Sequence, residues 1–320
     1  MSARPRRARV RALAKINLSL KVLGKRPDGY HELRTIFQTI SLADRLQMEF
    51  TPGSSTEIRL ASNVEIPNNL VVRAARLLME RTKLRGEVSL MLDKRIPAGA
   101  GLGGGSSDAA AVLLALPVLA GVRVELNELA ALAAELGSDV PFFLYGGTAL
   151  GLGRGTELYP LPEPPPFRGI VVAPAVPIAT AEAYRALRRK LTSALQLPII
   201  SSFRALCWSL DRSMSREEWS ALGENDFQSF AFRRYASLAA IRRKLSKAGA
   251  GPVMLSGSGS AMFGVFPRGE DLRRLCRAFD NGLAEPFYFV NRARYRRMWW
   301  RSLREHLQGE TWPPRSRYGR

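Results

Sequence analysis

Cysteine and histidine are scarce in this chain, with 2 of each in 320 residues. Cys207 and Cys276 fit no metal spacing and suggest no disulfide framework, so a reducing cytoplasm is the simplest setting. His31 has nothing near it in sequence that would complete a metal site, and a lone histidine beside a turn is usually structural. No apolar run is long enough to span a bilayer, and no signal-peptide pattern precedes the first regular stretch. Acidic residues are outnumbered: 28 Asp and Glu against 48 Lys and Arg leave a net charge of +20. That excess favours polyanionic partners such as nucleotides, nucleic acid or acidic lipid heads, and does not choose among them. No internal repeat is apparent.

What is present is concentrated in one stretch, Pro97 to Ala111, which reads PAGAGLGGGSSDAAA. An alternating run, Val88 to Leu92, predicts a strand before it. The apolar run Ala109 to Leu116 predicts a buried helix after it. Glycine lets the backbone take φ > 0 and lets a ligand come close. Ser106, Ser107 and Asp108 are good helix-starting residues, and the first turn of a helix suits an anion. The stretch therefore reads as strand, anion-cradling loop, helix. A P-loop would need G-x-x-x-x-G-K-S/T, and no lysine follows these glycines. Gly99-Ala100-Gly101-Leu102-Gly103-Gly104 satisfies G-x-G-x-x-G, but no βαβ unit with an acidic residue at the expected distance follows. A flexible linker would not sit so tightly between an apolar strand and an apolar helix.

Taken in order, Arg4 to Arg11 is arginine-rich and expected to fray. Ile16, Leu18, Leu20 and Val22 alternate with Lys15, Asn17, Ser19 and Lys21, which predicts a strand with the polar residues on one face. On spacing alone Lys15 is a solvated strand lysine. Pro27-Asp28-Gly29 predicts a turn, followed by Tyr30 and His31. Alternation at Thr35–Leu42 and Leu46–Phe50 continues an antiparallel sheet. Asn69 caps a helix from Leu70 to Glu80, and Glu125 to Leu136 forms another, stopped by Gly137. Lys94 and Arg95 close the strand before the glycine loop. Asp139, in Ser138-Asp139-Val140-Pro141-Phe142-Phe143, reads as a helix cap or as a carboxylate at the edge of a core. The proline-dense Tyr159 to Pro166 marks a boundary. Beyond it, a strand at Gly169–Ala173, helices from Thr180 to Leu191, Ser201 to Leu222 and Asn225 to Leu245, and a hairpin with a Ser256–Ser260 tip are expected. A helix from Asp271 and a strand at Phe287–Val290 complete a β/α unit. In the arginine-rich tail, Tyr295, Trp299 and Leu303 recur every four residues, which predicts a helix; its aromatic stripe is expected to dock on the protein's own surface, the alternative being a basic amphipathic helix on an anionic membrane or nucleic acid.

Ala14 to Leu18, Arg26 to Leu33, the Pro97–Ala111 run, Ser138 to Phe143, Asn225-Asp226 and Leu255 to Ser260 together resemble the galactokinase–homoserine kinase–mevalonate kinase–phosphomevalonate kinase superfamily. The Lys-Ile-Asn strand and the Asp-Gly-Tyr-His turn resemble its branch that acts on a cytidyl-bearing methylerythritol in the non-mevalonate route to isoprenoids. The resemblance implies an α+β fold: an N-terminal domain similar to domain 2 of ribosomal protein S5 and a ferredoxin-like C-terminal domain. The expected divisions are 1–160 for ATP and substrate, 167–290 for the second domain, and 291–320 for a basic tail. The implied reaction moves the ATP γ-phosphoryl group to the 2-hydroxyl of the methylerythritol part. Asp139 would be the base and Lys15 would keep it ionised, because a neighbouring cation favours the carboxylate. Pro97, Ala98, Gly99, Ala100, Gly101, Leu102, Gly103, Gly104, Gly105, Ser106 and Ser107 would wrap the triphosphate. Asn69 and Lys94 would lie near the adenine. Asn17, Tyr30 and His31 would receive the cytidyl end, with Tyr184 on the other face of the ring. Mg²⁺ would bridge phosphate oxygens, with Ser107 a possible ligand and the acidic ligands unidentified.

Two further readings stand beside this one. A superfamily kinase for another small alcohol would share the glycine loop. An RNA-binding protein would account for the charge, but the first domain has no aromatic platform or recognised RNA module, and Lys15 and Asp139 would be idle. No obligatory nucleic-acid partner is expected, the oligomeric state is open, and the tail is not explained by the resemblance.

Overall fold

The computed structural model describes residues 4–187, 224–279 and 282–318. The expected Ser201–Leu222 helix, the last residues of the Thr180–Leu191 helix and Cys207 lie outside them.

The first sheet is built on one long hairpin. Strands β1 (Arg6–Lys25) and β2 (His31–Pro52) pair antiparallel along most of their length. The Pro27-Asp28-Gly29 turn joins them as predicted: Asp28 Oδ1 accepts from the Tyr30 amide at 3.1 Å, and Gly29 supplies a φ of +86°. The arginine-rich start is not frayed but is the first part of β1. Ala8, Val10 and Ala12 are buried while Arg7, Arg9 and Arg11 are exposed, an alternation the charge concealed. β2 pairs through its second half with β4 (Gly86–Asp93) and through its first half with β5 (Thr148–Gly153). β3 (Thr56–Ser62) adds parallel to β4, and β6 (Glu157–Pro160) adds to β5.

Helices α1 (Leu70–Thr82), α2 (Gly104–Ala120), α3 (Leu126–Leu136) and α4 (Phe142–Tyr145) build the core of this unit with the sheet. Helix α2 is apolar on every side from Ala109 to Leu116, and every residue there is at most 1% exposed. A helix apolar all round is one packed on all sides.

The second sheet has the order β10-β7-β9-β8, all antiparallel. Its strands are β7 (Arg168–Ala173), β8 (Val253–Leu255), β9 (Met262–Phe266) and β10 (Leu283–Tyr288). Helices α5 (Thr180–Leu187), α6 (Gln228–Arg234) and α7 (Ala236–Lys247) lie between β7 and β8, and α8 (Leu272–Cys276) lies between β9 and β10. This is the βαββαβ order of a ferredoxin-like domain. The single helix expected from Asn225 to Leu245 is two helices, because Tyr235 takes extended backbone at φ −128° and ψ 97°. The last strand starts earlier than its aromatic run suggested, at Leu283. An apolar cluster including Ile16, Ile36 and Ile40 of the first sheet and Val171, Met254 and Phe263 of the second joins the two.

The tail forms helix α9 (Arg292–Leu303) and a turn, Arg304–His306. Tyr295, Trp299 and Leu303 are 2%, 1% and 0% exposed and belong to the core of the first domain, as the docking expectation held. Tyr295 Oη donates to the Phe143 carbonyl at 2.6 Å, and Trp312 Nε1 donates to the Leu144 carbonyl at 3.0 Å. His306 Nε2 donates to the Arg7 carbonyl at 2.8 Å, closing the outer edge of β1.

Candidate active site

Strand β1 is interrupted where its chemistry lies. Register shifts fall between Leu13 and Lys15 and between Asn17 and Ser19. Such bulges re-aim side chains. Lys15 and Asn17 are 3% and 1% exposed, so the solvated-strand reading of Lys15 does not hold. Lys15 Nζ donates to Asn17 Oδ1 at 2.8 Å and lies 3.3 Å from Asp139 Oδ2. Asn17 in turn donates to Thr35 Oγ1 at 2.7 Å, and Thr35 donates to the Ser19 carbonyl at 2.8 Å. This chain of polar groups fixes the ammonium.

Asp139 sits in the turn between α3 and α4. Its capping role is not realised, since Pro141 is the residue at the start of α4 and makes no side-chain cap bond. Phe142 and Phe143 are fully buried and anchor the turn. Asp139 keeps its side chain 33% exposed, opening on a cleft of about 420 Å³ between the two domains. Among the residues predicted for the site, Lys15, Asn17, Tyr30, His31, Gly99, Gly101, Asp139 and Tyr184 line this one cleft.

The glycine loop starts its helix earlier than Ser106. Gly103, at φ +71°, takes the cap position and Gly104 begins α2, so Ser107 and Asp108 lie inside the helix and are buried. Ala100 and Leu102 point into apolar core. The Lys15 amide donates to the Leu102 carbonyl at 3.0 Å, tying β1 to the loop. From the other side, Ser256 Oγ donates to the Gly101 carbonyl at 2.9 Å. A Cβ on Gly101 would fall 2.1 Å from the Ser256 carbonyl oxygen, so only glycine fits. The Asn225-Asp226 pair holds this junction: Asn225 Nδ2 donates to the carbonyls of Leu255 and Gly257, and Asp226 Oδ2 accepts from the Val22 amide at 2.8 Å.

Lys94 and Asn69 are not brought into the cleft. Lys94 Nζ donates to Asp44 and, at 2.8 Å, to Asp108, all three buried beneath the start of α2. Asp44 Oδ1 also accepts from the amides of Arg95 and Ile96, at 2.5 and 2.8 Å. Burial, then the charge of Asp44, pushes the Asp108 carboxyl up to about 7. Asn69 caps α1, its Oδ1 accepting from the Val71 amide at 3.0 Å. Tyr184 does not stand across a gap. Its ring stacks on His31 with centroids 4.3 Å apart. Burial, then the charge of Asp139, pushes its phenol up to about 12, so it stays protonated.

Sequence reasoning missed several lining residues: Thr35, Phe37, Arg154, Phe227, Gly257 and Ser258. Arg154 lies over the Tyr30 ring at 3.7 Å. Its signal was a lone arginine between Gly153 and Gly155, a turn that presents a cation. Gly257 and Ser258 belong to a motif already noticed without a role.

A family model described as GHMP kinases N terminal domain matches residues 69–147, and one described as GHMP kinases C terminal matches 208–284. The 4-diphosphocytidyl-2-C-methyl-D-erythritol kinase of Solibacter usitatus is 51% identical over 98% of this chain and 98% of its own. The enzyme of that name from Geobacillus kaustophilus is 38% identical over 84% of this chain and 91% of its own. A crystal structure of 4-(cytidine 5'-diphospho)-2C-methyl-D-erythritol kinase superimposes with a TM-score of 0.74 at 40% identity, covering 88% of this chain and 99% of that one. The fold and cleft are thus those of a GHMP kinase, a phosphotransferase. Within that class, the chain belongs to the family of 4-diphosphocytidyl-2-C-methyl-D-erythritol kinases.

Proposed function

We propose that the chain transfers the ATP γ-phosphoryl group to the 2-hydroxyl of 4-diphosphocytidyl-2-C-methyl-D-erythritol. The observation that carries this reading is the Lys15–Asp139 pair, 3.3 Å apart, opening on the same cleft as Gly99 and Gly101. Phosphoryl transfer asks a protein mainly to position groups and to offset charge. Asp139 accepts the hydroxyl proton as the oxygen attacks phosphorus. Lys15 favours the carboxylate form and polarises the hydroxyl. The loop from Pro97 to Ser107 and the first turn of α2 receive the triphosphate through backbone N–H groups.

Mg²⁺ would enter the cleft with the nucleotide substrate. Among the described residues, no group of three His, Cys, Asp or Glu could hold a metal ion, whereas Ser107 Oγ is buried without a hydrogen-bond partner. Ser107 would be a protein contact for an ion carried in on phosphate oxygens, and the ion would offset phosphate charge. At the other end of the cleft, Tyr30 offers its face to the cytosine and His31 reads the base edge. Tyr184 backs the His31 ring, and Asn17 serves this end as well as holding Lys15. Asn69 and Lys94 serve the adenine side only indirectly, Asn69 through its cap on α1 and Lys94 through the helix start that its ion pairs hold.

The test is turnover of the purified full chain with ATP, magnesium and the cytidyl substrate, beside mevalonate and homoserine. Turnover of the cytidyl substrate alone is the expected result. Preference for either other alcohol overturns the substrate, and ATP-independent RNA affinity without turnover overturns the class.

A further inference from the structure

A second concavity, of about 480 Å³, lies between the start of the long hairpin and the C-terminal helix. Arg294, Arg297 and Arg301 are spaced i, i+3 and i+7, so they share one face of α9. Arg11 of β1 joins them at the same concavity. Among the described residues none of these four forms an ion pair, and no carboxylate lines the space. Of the acids on neighbouring elements, Glu49 is engaged by Arg7, Asp44 by Lys94 and Glu163 by Arg292, while Glu285 and Glu305 do not line the space. Two of the four guanidiniums are held by neutral groups. Arg11 donates to the Ser41 carbonyl at 3.0 Å, and Arg294 donates to Tyr288 Oη at 3.2 Å. Those bonds orient the cations without neutralising them. Tyr288 and Met298 supply apolar wall.

We infer that this concavity is a binding site for a small organic diphosphate, separate from the kinase cleft. Guanidinium forks match phosphate oxygens in pairs, and four around one space suit more than one phosphate group. The ligand is small because the cations surround a hollow. A bilayer or a nucleic-acid duplex would meet only its rim. The apolar walls take the organic part, so an ester binds more tightly than the inorganic ion. The docked stripe of Tyr295, Trp299 and Leu303 holds α9 in place and leaves its arginine face outward.

The experiment is calorimetric titration of the full-length protein with inorganic pyrophosphate and with a short alkyl diphosphate. A saturating non-hydrolysable ATP analogue fills the kinase cleft throughout. One site is expected, with the alkyl diphosphate the tighter ligand. Arg297→Gln with Arg301→Gln weakens it ~10-fold or more, with turnover and melting temperature unchanged. No heat with the wild type overturns the proposal, as does equal affinity in the double variant. Binding of anionic vesicles or RNA that is lost in the variant, while neither diphosphate binds, replaces it with a macromolecular partner. If the double variant melts early, Arg297→Lys with Arg301→Lys keeps the charge and removes the fork. Affinity unchanged in that pair overturns the bidentate recognition.

Discussion

Two lysine–aspartate assemblies flank the glycine loop and do opposite things. Lys15 meets Asp139 where the carboxylate side chain is 33% exposed. Lys94 meets Asp44 and Asp108 where the three side chains are 5%, 0% and 2% exposed. The first pair has a free side on which a substrate can lie. The second has none, and its partners are backbone amides and the underside of α2. An ion pair open on one side can exchange a proton with a ligand. A sealed pair can only hold its elements in register, and removing one partner strands a buried charge. The difference explains why a cation beside a glycine loop need not face the cleft.

The largest expected effect breaks the open pair. Asp139→Asn is nearly isosteric and accepts no proton, so kcat falls by about 10²–10⁴-fold with the melting curve unchanged; near-normal kcat at saturating substrate would remove Asp139 from the base role. Lys15→Met lowers kcat more than it raises the ATP KM, and a pure KM effect reassigns it to binding. Breaking the sealed assembly reads out in stability instead. Lys94→Met leaves two carboxylates without their cation and costs about 3–5 kcal/mol in urea unfolding. A loss of turnover without loss of stability would place Lys94 in the cleft after all.

Smaller effects sharpen the contrast. Tyr30→Ala and His31→Ala weaken the cytidyl substrate by about 1–3 kcal/mol, as for base–aromatic stacking, and leave the ATP KM near normal; equal damage to both would merge the two pockets. The smallest effect is a pH dependence. The Asp108 carboxyl is raised from 3.8 to about 7 in the folded chain, chiefly by burial. Between those values the folded chain keeps a proton that the unfolded chain has released. Its contribution to stability therefore falls as pH rises through that window and levels off above it. Asp108→Asn does not titrate. Relative to that variant, the wild type should lose stability between about pH 4 and about pH 7, and parallel curves would show that Asp108 is not protonated in the fold.

Much of this was legible because short-range signals carried it. The glycine run between an apolar strand and helix marked the loop, and Pro27-Asp28-Gly29 marked the turn that sets Tyr30 and His31 in the cleft. Repeats every four residues gave the tail helix and its buried face. What short range cannot carry is pairing. Lys15 and Asp139 lie on different elements, and each alone read as bland; only the resemblance joined them. Asp44 raised no signal, since a lone aspartate in a strand does not announce the buried lysine that requires it. The start of β1 was misread because Arg7, Arg9 and Arg11 looked like a solvated tail. Their alternation with Ala8, Val10 and Ala12 is that of a half-buried strand. Gly103 is glycine for packing as well as for its positive φ. A Cβ there would meet the Phe143 ring at 2.8 Å and the Lys15 side chain at 3.1 Å. Gly103→Val therefore disturbs the packing that holds Lys15, whereas a Cβ on Gly99 meets nothing within 4 Å.

The contact between His306 and the Arg7 carbonyl has a consequence for synthesis. Residue 306 follows residue 7 by 299 positions, so this part of β1 is made well before the histidine that bonds to it. At roughly 5–20 residues per second, the edge of β1 near Arg7 stands open for roughly 15–60 s before its cover emerges. An unpaired strand edge is a template for another chain. The arginines of β1 act over that interval as gatekeepers, their like charge keeping nascent neighbours apart. Chains ended at Val290 lack that cover and should scatter light at concentrations where the full chain stays clear; in that case residues 291–318 serve the start of β1 as an internal chaperone.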